Sequence, residues 1–242
     1  AVMIKKDGTV YGIGDNSDLR ISKSLSKEIL RYFTKYDIKD EQGNLYIPTF
    51  VVRGLEYTLY IASKTETPSN PQLVLYYNKG FPDFKMFFLD TGKSKPVALF
   101  GGRSHAAAID SEGGIIFIHK SIGDYNNRNM DPLTPVFLPD GEKAVSVACC
   151  EDFIISLGSS GRVFRSYPTP ELSFVEVSEL NEIEIVDISG ICDHCFAVSK
   201  DGRVFVVGST DYGALCIGKE DGDIREFIEI SSLKKYFITN AY

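Results

Sequence analysis

Four glycines set a ruler along this chain. Each closes a short polar turn between two apolar runs: Lys-Asp-Gly8, Ser-Glu-Gly113, Ser-Ser-Gly161 and Lys-Asp-Gly202. Gly113 and Gly161 are 48 residues apart, Gly161 and Gly202 are 41 apart, and Gly8 and Gly113 are 105 apart. That last interval holds two units, with Tyr57 marking the middle one. A unit of roughly 40–50 residues holding several short strands is the size of a β-propeller blade. Turns of this composition between runs rich in Val, Ile, Phe and Tyr are hairpins, with glycine supplying the positive φ that other residues resist.

The turn is only one part of a longer repeating pattern. A small-residue box comes first, then an aromatic or histidine, an apolar run, the glycine turn and a β-branched or aromatic run. The copies include Gly101-Gly-Arg-Ser-His105, Cys149-Cys-Glu-Asp-Phe153 and Gly190-Ile-Cys-Asp-His194, each leading into its turn. A degenerate copy starts at Gly54-Leu-Glu-Tyr57, and the chain begins inside another at Ala1-Val-Met-Ile. Further strands are expected to begin near Pro48, Pro96 and Pro135, since proline at the first residue of a strand costs no ladder bond. These copies divide the chain into units of approximately 1–50, 51–94, 95–143, 144–180 and 181–233, with a further unit starting at 234–242.

Here the sequence resembles the regulator-of-chromosome-condensation repeat family. Its units carry a small-Gly-x-x-His box, an acidic-Gly hairpin and a Gly-x-Asn-x-x-Gly-Gln-Leu-Gly tail. Gly208-Ser-Thr-Asp-Tyr-Gly213-Ala-Leu215 matches that tail at both early glycines and the leucine, and Gly14-Asp-Asn16 keeps its start. Phe153 and Tyr57 stand where the histidine would be, and neither tail has the glutamine, so the chain is a divergent member. The resemblance implies an all-β propeller of about five four-stranded blades, either a complete five-bladed ring or part of a seven-bladed one. It also implies binding to another protein, with His105 and His194 as structural repeat positions bonded near the propeller axis. Guanine-nucleotide exchange on a small GTPase, the activity of the family's founding member, is the alternative function.

The ends fall inside the repeat. Ala1 follows a box position, and Ile238-Thr-Asn-Ala-Tyr242 matches Ile188-Ser-Gly-Ile-Cys192, so the sequence is expected to be a piece of a longer protein or a processed product.

Composition narrows the function classes. A net charge of −7 argues against a general phosphate-binding surface, which needs Lys and Arg to displace counterions, so nucleic acid is not the expected partner. No apolar run nears the roughly 18 residues of a membrane helix, and no signal peptide or Asn-x-Ser/Thr acceptor is present. The five cysteines sit in or beside apolar runs, fitting buried free thiols in a reducing intracellular compartment, cytoplasmic or nuclear. Cys192-Asp-His-Cys195 suggests zinc or redox chemistry, but it lacks a second ligand pair and its cysteines would point to opposite faces of a strand. With no nucleophile elbow, phosphate loop or dinucleotide fingerprint, the expectation is a non-catalytic protein-interaction module with no metal or cofactor.

Two segments depart from the repeat and are the candidate contact sites. Within 22–38, Leu25, Ile29, Leu30, Phe33 and Tyr36 follow helical spacing, which predicts a short helical insertion presenting Leu25, Ile29 and Phe33. The polar loop Gly123–Asp131 offers Tyr125 and Arg128, residue types common at interface hot spots.

Overall fold

A computed structural model describes residues 1–15, 29–40, 42–55, 57–77, 85–118, 133–169, 172–218 and 222–241. They form five antiparallel sheets in which each strand pairs with its neighbour in sequence. The first sheet holds β1 (Val2–Ile4), β2 (Val10–Asp15) and β3 (Ile29–Tyr36). In the second are β4 (Ile38–Lys39), β5 (Leu45–Arg53), β6 (Tyr57–Lys64), β7 (Gln72–Tyr77) and β8 (Lys85–Leu89). The third contains β9 (Pro96–Gly101), β10 (Ala106–Asp110) and β11 (Ile115–Ile118). A regular four-stranded set follows twice: β12 (Ala144–Cys149), β13 (Ile154–Gly158), β14 (Val163–Ser166) and β15 (Val175–Glu176), then β16 (Ile185–Ile191), β17 (His194–Ser199), β18 (Val204–Ser209) and β19 (Asp223–Glu229). Sequential antiparallel sheets repeated along the chain are the blades of a β-propeller.

The chain divides into two compact units, one of residues 1–111 and 116–135, the other of 112–115 and 136–242. In the first, strand alternation splits β6 between two cores. Leu59 and Ile61 pack with Leu99, Ala106, Ala108 and Ile116, while Tyr60 and Ala62 pack with Val10, Leu30 and Tyr36. Both sets are buried, which is why β6 reads as a continuous apolar run and not as an alternating one. In the second unit, Ile155 and Leu157 of β13 pack with Ile185, Ile188 and Ala197 of the following sheet.

A shared set of bonds stitches the second unit. The carbonyl of each of its turn glycines accepts an N–H from the segment that follows the sheet: Gly113 from Ala144 (3.0 Å) and Gly161 from Ile185 (3.0 Å), both opening a next strand, and Gly202 from Ile238 (3.2 Å). Gly161 shows why the residue type matters. Its φ is +88°, and a Cβ there would lie 2.9 Å from the Glu184 side chain and 3.1 Å from the Ile185 carbonyl. Ile238 therefore stands in register with Ile185, three residues from the sequence match to Ile188.

The expected helix over 22–38 is corrected in its second half. Ile29–Tyr36 is a strand, and only short 3-10 turns occur elsewhere among the described residues. Apolar residues at 29, 30, 33 and 36 satisfy helical spacing, but Ile, Tyr, Phe and Thr favour strands, and β2 offers a ladder with Val10 opposite Tyr36 and Gly14 opposite Leu30. Leu30 and Tyr36 then join the core. Pro48 also sits differently from expectation. It lies inside β5, where the register with β6 shifts, because that strand starts earlier in a hairpin with β4.

Candidate interaction surface

Box residues tie hairpins together. The carbonyls of Tyr57, His105 and Phe153 accept the N–H groups of Gly54 (3.1 Å), Gly102 (2.8 Å) and Cys150 (3.1 Å), and His194 pairs with Ile191 at the same point. One residue further on, neighbouring hairpins are linked: Leu55 N–H to the Arg103 carbonyl (2.8 Å) in the first unit, Glu151 N–H to the Cys192 carbonyl (2.5 Å) in the second. Side chains reinforce this in different ways. Tyr57 Oη lies 2.6 Å from the His105 carbonyl and 2.9 Å from that of Gly102, and its one hydrogen is shared between them. Cys150 Sγ donates to the His194 carbonyl at 3.3 Å. His105 is buried beside Phe117, whereas the half-buried His194 stands edge-on to Phe196. Gly8, Gly113, Gly161 and Gly202 all have φ between +79° and +88°.

The Cys192–Cys195 pair belongs to this hairpin. Cys192 lies in the turn with φ +53°, and Cys195 is buried in β17 against Cys150 of the preceding sheet. A strand carrying both cysteines on opposite faces is thus not what forms. Burial pushes the thiols of Cys149 and Cys195 upward, away from the nucleophilic thiolate, so these two act as packing residues. Among the described residues, no three His, Cys, Asp or Glu side chains gather as a metal-binding group. Cys216 follows Leu215 where the family tail ends in glycine, and it keeps a φ of +57° while Leu215 fills the core under β17 and β18.

Of the five candidate contact residues, Leu25, Tyr125 and Arg128 lie outside the described residues. Ile29 and Phe33 are together on β3, 67% and 52% exposed, with Tyr32 between them at 82%. The exposure of Tyr32 and Phe33 has a local cause. Gly12 pairs with Thr34 and Gly14 with Leu30, so Arg31, Tyr32 and Phe33 stand opposite Ile13 alone. This bulge pushes two aromatic rings outward while Leu30 and Tyr36 anchor the strand on either side. Tyr36 Oη is fixed 2.7 Å from Tyr60 Oη, and burial raises the Tyr36 phenol, so that anchor stays uncharged.

Sequence reasoning missed Tyr32. The adjacent Tyr-Phe pair is the signal for it, since two neighbouring aromatics on a strand cannot both face one core. It also missed Tyr212, fully exposed at φ +56° within the Gly208–Gly213 tail.

No protein-family model matches the chain, and no curated protein matches its sequence. Solved structures do match. Human WBSCR16 superposes with a TM-score of 0.66 at 15% identity, over 95% of this chain and 64% of that one. Prp20p from Saccharomyces cerevisiae, described with its binding properties to Gsp1p and histones, gives 0.65 at 12%, over 95% and 60%. Yeast RCC1 (Prp20) in a structure with Kap60 gives 0.66 at 13%, over 95% and 58%. The chain therefore spans about three fifths of the length of these structures. In fold, the chain is a β-propeller that resembles these structures, yeast RCC1 among them.

Proposed function

We propose that this chain is a non-catalytic protein–protein interaction module whose contact surface is the bulged outer strand β3. The carrying observation is the exposure of Ile29, Tyr32 and Phe33 on a strand whose other apolar residues, Leu30 and Tyr36, are buried. Large exposed aromatics cost solvation and serve as anchors in interfaces, where Tyr is enriched among the dominant residues. The shared fold supports a protein partner, because the yeast structures are described with Gsp1p, histones and Kap60. Five free cysteines suit a reducing, intracellular setting. A photo-crosslinking residue placed at Phe33 in the full chain, in cells, should form adducts with another protein. The same residue at Val175, still more exposed on the outer strand β15, should not. Equal labelling from both positions would sink the proposal.

Regulation of a small GTPase by nucleotide exchange is the second reading, favoured only by the fold shared with the Gsp1p-binding Prp20p. Stopped-flow release of a fluorescent guanine nucleotide from a GTPase panel tests it. No acceleration above the spontaneous rate removes it.

A further inference from the structure

From the charges around this surface, we infer that β3 receives an acidic, extended segment of its partner, with an apolar residue set between two carboxylates. The inference rests on the interaction-module reading and gives the partner its chemistry. β3 is the outermost strand of its sheet, and it is flanked by cations in a chain whose net charge is −7. Arg31, Phe33 and Lys35 fall at alternate positions and are all exposed. Neither Arg31 nor Lys35 makes an ion pair among the described residues. Lys35 pairs in register with Tyr11, over whose ring Lys5 Nζ sits at 5.0 Å, adding a third cation to the same stretch. Acids border the strand as well: Asp15 of β2 pairs in register with Ile29, and Asp37, just past β3, is held by Lys39 at 3.0 Å. Asp7 is engaged by the N–H of Thr9 in the β1–β2 turn, and that hydrogen bond holds its carboxyl below the usual range.

The outer strands of the two regular sheets lack this combination. β19 carries Asp223, Glu226 and Glu229 beside Arg225, and β15 is two residues long with Glu176 paired to Arg162. Charges of both signs and short length are how proteins blunt strand edges. β3 instead runs eight residues, with aromatic rings between cations that have no ion-pair partner among the described residues. Arg31 and Lys35 are four residues apart, at most roughly 13 Å, with the bulge between them. A partner in the same conformation meets both cations when two carboxylates lie four residues apart, with the apolar side chain midway to cover Phe33 and Tyr32. A basic segment would be repelled by the same pair, which gives the surface its selectivity.

The probe is a fluorescent peptide, Glu-Ser-Leu-Ser-Glu flanked by glycines, titrated with the full chain and read by anisotropy. We expect saturable binding that weakens as salt rises from low to physiological strength. The matched peptide with Lys in place of both Glu should bind at least ~10-fold more weakly, and so should the acidic peptide to Arg31→Glu or Lys35→Glu, with the preference for the basic peptide rising in the variants. Both substitutions are on exposed side chains, and circular dichroism checks that each variant stays folded. Equal binding of acidic and basic peptides, or charge-reversal variants that bind like the parent, overturns the inference. So does a concentration-dependent doubling of mass that Phe33→Ser abolishes, which would assign the surface to a second copy of the chain. Cross-links from Phe33 without acidic-peptide binding would leave the interaction module standing and remove only its acidic partner. Peptide binding without cross-links would overturn the interaction-module reading and, with it, the partner inferred from it.

Discussion

Two parts of the molecule obey the same repeat to different degrees. The sheets β12–β15 and β16–β19 are regular: their inner hairpins are linked through Glu151 and Cys192, and their turn glycines cradle the next strand. Their outer strands are short or charged. The sheet β1–β3 has the same turn glycine, Gly8, but its outer strand is long, bulged and aromatic. Conformity to the repeat is explained by packing. Departure from it has no packing explanation at Tyr32 and Phe33, whose rings leave the core, and that is where function is sought.

Truncating a ring in each region breaks or sharpens this contrast most strongly. Phe164 on β14 is fully buried, and Phe164→Ala should cost about 3–5 kcal/mol in denaturant unfolding, through lost burial and the cavity left behind. Phe33→Ala should change stability by no more than about 0.5 kcal/mol, because little is removed from a packed environment. A loss of several kcal/mol at Phe33 would make β3 a structural element and undo the comparison.

The glycines divide along the same line. Gly161 and Gly43 have nearly equal φ, +88° and +85°, but only Gly161 has a neighbour within 4 Å of the missing Cβ. Gly161→Ala should cost about 2–4 kcal/mol, from left-handed strain plus overpacking against Glu184 and Ile185. Gly43→Ala in the β4–β5 turn carries only the backbone part, about 1–2 kcal/mol. Equal thermal shifts would mean that close approach of the next blade plays no part.

These pairs also show what was legible in the sequence. Gly8, Gly113, Gly161 and Gly202 could be read because positive φ leaves a residue-type signature at a fixed spacing. The β4–β5 hairpin could not. It is closed by Asp40, whose carboxylate accepts the N–H groups of Gln42 (3.1 Å) and Asn44 (2.8 Å), a local turn without a repeat partner. Ile29–Tyr36 was misread because four apolar positions fit both periods. Only the pairing with β2 and the shared core with Tyr60 decide it, and those contacts are distant in sequence. Of the candidate surface, Ile29 and Phe33 were found as exposed apolar residues, while Tyr32 emerged only with the bulge.

A smaller effect separates the box positions. Tyr57→Phe removes the hydroxyl bonded to the carbonyls of His105 and Gly102, both buried, and should cost about 1–2 kcal/mol. At the matching position of the second unit, Phe153 has no hydroxyl to lose, and Cys150 Sγ instead reaches the His194 carbonyl. Cys150→Ala should therefore cost less than Tyr57→Phe does, since a thiol is the weaker donor. Unfolding curves that show the reverse order would mean that ring packing, not the carbonyl bond, fixes these hairpins.

Acid should produce the smallest difference, and its sign follows from the charges. In the regular sheet, Arg162 donates to Asp140 (3.0 Å) and to Glu176 through Nε (2.7 Å) and Nη2, and its bonds to Glu176 hold that carboxyl below its usual range. A carboxyl depressed in the folded state binds its proton more readily when unfolded. Its contribution to stability is fully present above the unfolded value, near 4.3, and is lost as pH falls through the lower folded value. Glu176→Gln should thus flatten the rise in Tm between about pH 3 and pH 5 and lower Tm by a constant amount above that window. The shift stays small because both partners are about a third exposed, where water screens the pair. Lys35→Gln on β3 removes a cation with no ion-pair partner among the described residues, and its Tm profile should run parallel to the parent's throughout. A Lys35→Gln profile flattened like that of Glu176→Gln would show that β3 is braced by charge in the native fold, leaving its cations unavailable to an acidic partner.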